Sequence, residues 1–111
     1  MSSEQTWNAS ISRLGVTGII GGSAMTAGER VTGSVIIPGA SVLAKQNTAY
    51  QQSVGAVVSA SPAFAGGPGA GFTVDAYIDD AIVTDQVTVA VTCIAAGTPV
   101  AGVYAVSVLP L

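Results

Sequence analysis

The chain contains no histidine. That removes the usual general base, the commonest metal ligand and every Ser-His-Asp or Cys-His arrangement. Cys93 is the single thiol. It shares an alternating apolar face with Val87, Val89 and Val91, where a cysteine serves as a small buried hydrophobe. Four acids, Asp75, Asp79, Asp80 and Asp85, lie close together in sequence, and paired carboxylates can hydrolyse glycosides. Asp79 and Asp80 are adjacent, however, so a strand would point them to opposite faces and a turn would leave them solvated. Their order lacks the ligand spacing of a calcium loop. They read as turn acids at a strand end, with weak calcium binding as the alternative. The run Gly66–Gly71 lacks the Lys-Ser/Thr of a phosphate loop, carries Pro68 and leads into a strand, so it reads as a flexible connection. Asn8-Ala9-Ser10 matches a glycosylation acceptor, but nothing around it points to a secretory route. The residues therefore predict no catalytic site, no cofactor and no metal.

Elements that position no chemistry must be read for assembly. The 111 residues suit one domain. Half of them are hydrophobic and only 8% charged, against roughly a quarter in ordinary soluble domains. So neutral a surface predicts burial against copies of the same chain or a larger partner. Three basic residues, Arg13, Arg30 and Lys45, stand against six acids for a net charge of −3. That balance argues against nucleic acid and against an anionic membrane as partners. The first apolar segment, Leu14 to Ile20, is too short to cross a bilayer. One cysteine excludes an intrachain disulfide. The polar opening Met1–Gln5 is unlike a basic secretory leader and predicts synthesis in the cytoplasm.

From Gly15 onward Val, Ile, Thr, Ala and Gly dominate, which favours extended backbone. Strands are predicted at Val16–Ile20 and Val31–Ile37, the second with Val31, Val35 and Ile37 on one face and Thr32, Ser34 and Ile36 on the other. Pro38-Gly39 ends that strand. Val42–Ala44 reads as a short continuation, and Lys45–Ser53 as a polar loop. Further strands are predicted at Val54–Ser61, closed by Pro62, and over Phe72–Ile78 by alternation. Another runs through Val87–Cys93, and the last is Val103–Leu109 with Tyr104, Val106 and Val108 sharing a face. Six to eight short strands with regular turn signals predict one all-β sandwich, Ig-like or jelly-roll-like, over residues 15–111.

Residues 1–14 read as an N-terminal arm. Trp7, Ile11 and Leu14 have the spacing of one helical face, which fits a short helix or an arm that orders against a partner. Trp7 is a lid on the sandwich or an anchor into another chain. The candidate partner-interface residues are Trp7, Ile11 and Leu14 in the arm, with Leu109 and Leu111 at the other end.

Five stretches carry a family resemblance. They are Gly33-Ser34-Val35-Ile36-Ile37-Pro38-Gly39, Ser59-Ala60-Ser61-Pro62, Ala76-Tyr77-Ile78, Asp85-Gln86-Val87-Thr88-Val89-Ala90-Val91-Thr92 and Gly102-Val103-Tyr104-Ala105-Val106-Ser107-Val108. From about Gly28 to Leu109 the sequence resembles small β-sandwich virion proteins of tailed bacteriophages. The resemblance implies a non-enzymatic head decoration (cement) protein that binds the major capsid protein on the virion surface as a homo-oligomer, with a trimer favoured. The alternative is a host-recognition module, such as a fibre knob or adhesion domain binding cell-surface glycan. One departure is Lys45–Ser53, longer and richer in glutamine than that pattern.

Overall fold

The computed structural model describes residues 13–45 and 56–110. Six strands form two three-stranded antiparallel sheets packed as a sandwich. Strands β1 (Arg13–Val16), β6 (Tyr104–Pro110) and β3 (Ala56–Pro62) make the first sheet, in the order β1-β6-β3. Strands β2 (Arg30–Ile36), β5 (Gln86–Cys93) and β4 (Phe72–Ile78) make the second, in the order β2-β5-β4. This is the expected all-β sandwich.

The two central strands supply the core. Tyr104, Val106 and Val108 of β6 face Val87, Val89, Val91 and Cys93 of β5, and all are buried. Phe72, Val74, Ala76 and Ile78 of β4 and Val31 and Val35 of β2 pack around them, as alternation predicts. β5 is buried on its other face as well: Thr88 and Ala90 are covered. The guanidinium of Arg30 lies 5.5 Å from the Tyr77 ring centroid. Arg30 pairs with Thr92 and Tyr77 with Thr88, so that diagonal crosses over Ala90.

Two elements differ from the reading above. The first strand is Arg13–Val16, not Val16–Ile20. Beyond Val16 the chain leaves regular pairing and keeps isolated contacts to the segment running the other way. Thr17 N–H donates to Tyr104 O, Ile20 N–H to Gly102 O, Gly22 N–H to Pro99 O and Met25 N–H to Gly97 O. Arg13 and Leu14 thus belong to the sheet and not to the arm; residues 1–12 lie outside the described residues.

The second difference is at Val42–Ala44, which is helical, within α1 (Ala40–Lys45). So short a helix needs tertiary support. Ala40 and Leu43 enter the core while Val42 is exposed, and the helix closes one end of the sandwich. Its first turn is held from across the fold. The Asp85 carboxylate accepts from Gly39 N–H (3.1 Å) and Ser41 N–H (2.9 Å), and Ser41 Oγ accepts from Asp85 N–H (2.8 Å).

Those backbone donors, with Arg13 nearby adding charge attraction, hold the Asp85 carboxyl below the ordinary aspartate range. A depressed folded-state pKa adds stability that is present above the unfolded pKa and lost as pH falls through the folded one. The urea midpoint is therefore expected to drop below about pH 4. Asp85→Asn, which tolerates the left-handed backbone of this residue (φ 65°), should lower the midpoint at neutral pH. Its gap from the native chain should narrow towards pH 2 (about two units below an ordinary aspartate). A gap independent of pH would remove this account.

Candidate functional site: the outer face of the first sheet

Residues opposite one another in antiparallel strands share a face. Leu14 is opposite Ser107, and Ser107 is opposite Ser59; Val16, Ala105 and Ser61 form the next row, and Leu109 is opposite Val57. The inward partners of these strands carry the core, so this set points outward. Leu14 is 75% exposed, Val16 58%, Val57 44% and Leu109 43%. Ser59 and Ser107 satisfy each other through their hydroxyls at 2.9 Å, which leaves the middle of the face neutral. No charged residue lies in these rows. Arg13 alternates inward, with its guanidinium against Gly39. The result is an uncharged surface on which four exposed aliphatic side chains surround Ser59, Ser61 and Ser107. Covering each aliphatic side chain is worth up to about 2 kcal/mol.

The interface candidates divide accordingly. Leu14 and Leu109 come together on this one face. Trp7, Ile11 and Leu111 lie outside the described residues, as do Tyr50 and Asn8-Ala9-Ser10. Val16 and Val57, which complete the patch, were not singled out by sequence. Their signal was the alternation of Val57 with Val58 and of Val16 with Gly15, but only the strand order shows which member of each pair points out.

The acids do not converge. Asp85 caps α1; the Asp79 carboxylate accepts from Thr88 Oγ1 (3.0 Å) and Gln86 Nε2 (3.4 Å); Asp75 sits on the outer face of β4 opposite Ala90. Among the described residues no group of three His, Cys, Asp or Glu is placed to hold a metal ion. Cys93 is buried, with Sγ 3.1 Å from Ala95 O. The glycine-rich run is not a loose connection. Gly67 and Pro68 are buried, Val100 N–H donates to Pro68 O, and Gly71 O accepts from Ile94 N–H and Ala95 N–H. The positive φ angles of Gly66, Gly67, Gly69 and Gly71 show why glycine recurs there. A cleft of about 60 Å³ lined by Gly21, Ser23, Met25, Val31 and Pro99 has room for little more than water. No described helix is long and apolar enough to cross a membrane.

The outer face of the second sheet is chemically different. It carries hydroxyls at Thr32, Ser34, Thr73, Thr88 and Thr92, with Arg30, Asp75 and Tyr77 among them. Ser34 Oγ and Thr88 Oγ1 lie 3.2 Å apart. The second face thus carries charges and more hydroxyls, with Ile36 as its exposed aliphatic residue, while the first is uncharged. No protein-family model, curated protein sequence or solved structure matches the chain.

Proposed function

We propose that this chain is a non-enzymatic virion protein that decorates the head of a tailed bacteriophage. In this reading it docks on the major capsid protein through the outer face of β1-β6-β3 and stabilises the shell as a homo-oligomer. The observation that carries the docking surface is the uncharged patch of Leu14, Val16, Val57 and Leu109, exposed on the outer face of one sheet. The phage assignment rests on the motif resemblance and on a composition suited to a surface that is covered in place. Many copies on a lattice supply avidity, so each contact needs only modest strength.

The alternative, a host-recognition module for glycan, draws on the hydroxyl-rich outer face of the second sheet with Asp75 and Tyr77. It ranks second because the Tyr77 ring is already engaged by Arg30, and sugar stacking needs a free aromatic face.

The first test is the copy number of this chain per purified particle, by quantitative mass spectrometry against the major capsid protein. Copies in lattice proportion support decoration, a handful would favour the fibre reading, and none would remove the virion reading. The surface is tested separately with Leu14→Asp/Leu109→Asp. Particle binding should weaken roughly 100-fold or more, because two buried aliphatic contacts become desolvated charges. Stability should change by no more than about 1 kcal/mol, since both side chains are exposed. Unchanged binding by a folded double variant would exclude this face.

A further inference from the structure

Among the described residues, the second sheet has an unpaired edge at β2. Cys93 N–H donates to Glu29 O, and Ile37 N–H donates to Asp85 O, at the two ends of the β2–β5 pairing. Antiparallel alternation between these points directs the backbone groups of Val31, Gly33 and Val35 at β5. The N–H and C=O groups of Arg30, Thr32, Ser34 and Ile36 point the other way. Among the described residues no strand pairs with them.

Edge strands are ordinarily guarded by proline, lysine, a bulge or short length. β2 has none of these guards, and its one charged residue, Arg30, stands at its first position. It runs seven residues in one-to-one register with β5, from Arg30 opposite Thr92 to Ile36 opposite Gln86. The other edges are less suited to pairing. β1 has four residues, β3 ends in Pro62, and full two-fold overlap of β4 would set Asp75 against Asp75 of the second copy.

We infer that the β2 edge pairs antiparallel with the β2 edge of a second copy, about a two-fold axis at Gly33, joining two three-stranded sheets into one. In that register Arg30 lies opposite Ile36, Thr32 opposite Ser34 and Val31 opposite Val35 of the other copy. Gly33 meets its own copy at the axis, with no side chain there to obstruct the approach. The free backbone groups are those that narrow pairs need, so the pairing is self-complementary. Arg30 is the only charged residue in β2, and the two copies of it fall about 20 Å apart along the strands, beyond the screening length in ordinary salt. Thr opposite Ser and Val opposite Val are favourable cross-strand neighbours. The symmetry is two-fold, in place of the three-fold favoured from the resemblance. The outer faces of both β1-β6-β3 sheets stay uncovered, so the inference stands apart from the docking proposal.

The test uses the full chain in sedimentation equilibrium, together with amide hydrogen exchange read by NMR. Dimers are expected, with the Thr32, Ser34 and Ile36 amides protected increasingly as concentration rises. Thr32→Pro removes one outward donor per copy without touching the β5 ladder and should weaken association roughly tenfold or more. Thr32→Lys/Ser34→Lys sets like charges opposite each other and should give monomers, while Thr32→Lys/Ser34→Glu should restore dimers. A wild-type monomer at all concentrations would overturn the inference. So would dimers whose β2 amides exchange freely, or amide protection that is independent of concentration and disappears when residues 1–12 are deleted.

Discussion

Replacing Tyr104 with alanine is expected to lower the stability of the domain by about 3–5 kcal/mol, a large share of the roughly 5–15 kcal/mol that holds a domain together. Tyr104 is fully buried between the sheets and meets Phe64 edge-to-face, with centroids 5.4 Å apart and planes at 89°. Phe64 in turn lies over Gly102, where an added Cβ would come within 2.3 Å of its ring. The cluster cannot collapse into the space a truncated Tyr104 leaves, because Phe64 already rests on backbone. The thermal midpoint should fall by about 15–25 °C. Tyr104→Phe separates the ring from the hydroxyl. Among the described residues the buried hydroxyl has no hydrogen-bond partner, and burial raises its pKa, so it stays neutral. Removing it should be neutral or stabilise by up to about 1 kcal/mol. A loss of similar size on thermal denaturation would mean that the hydroxyl has a hydrogen-bond partner and that the site is polar.

The second large effect is expected at Gly33. This residue faces inward on β2, and a Cβ there would lie 2.6 Å from Ile20 Cδ1 and 2.7 Å from Ile20 Cγ1. Ile20 is itself buried and tied to Gly102 by backbone bonds in both directions, so it has nowhere to turn. Gly33→Ala should cost about 1–3 kcal/mol by overpacking, and Ile20→Ala about 2–5 kcal/mol by leaving a hole. In the double variant the new methyl enters the space the isoleucine vacates. Its loss should therefore be at least about 1 kcal/mol smaller than the sum of the single losses. Additive losses in urea denaturation would show that the two residues do not share this volume.

How much of this was legible in sequence depends on whether a residue's partner is near in the chain. Phe72–Ile78, Gln86–Cys93 and Tyr104–Val108 alternate so regularly that their strands and inward faces follow from period alone. The Arg13–Val16 strand was displaced in the reading because Leu14 and Val16 alternate with Arg13 and Gly15 too briefly to outweigh the longer apolar run at Ile19-Ile20. Pairing with β6 decides the matter. α1 was missed for a like reason. Ser41-Val42-Leu43-Ala44 carries no period of its own, and the group that caps it, Asp85, is 44 residues away. For the site, Leu14 and Leu109 could be named only as apolar residues in the arm and at the other end. That they share a face with Val16 and Val57 needs the order β1-β6-β3, which no local pattern encodes.

The pairing of β1 with β6 also fixes how the domain responds to force. Arg13, where β1 begins, lies opposite Val108 near the end of β6, so both strands leave the sandwich at the same end. Tension entering at Arg13 and leaving at Pro110 loads the ladder in the peeling direction, one rung at a time. After β1 come the isolated contacts at Thr17, Ile20, Gly22 and Met25, opened in sequence like a zip. Pulled by its ends, the domain should yield gradually at low force from that side, while the β2-β5-β4 sheet is still intact.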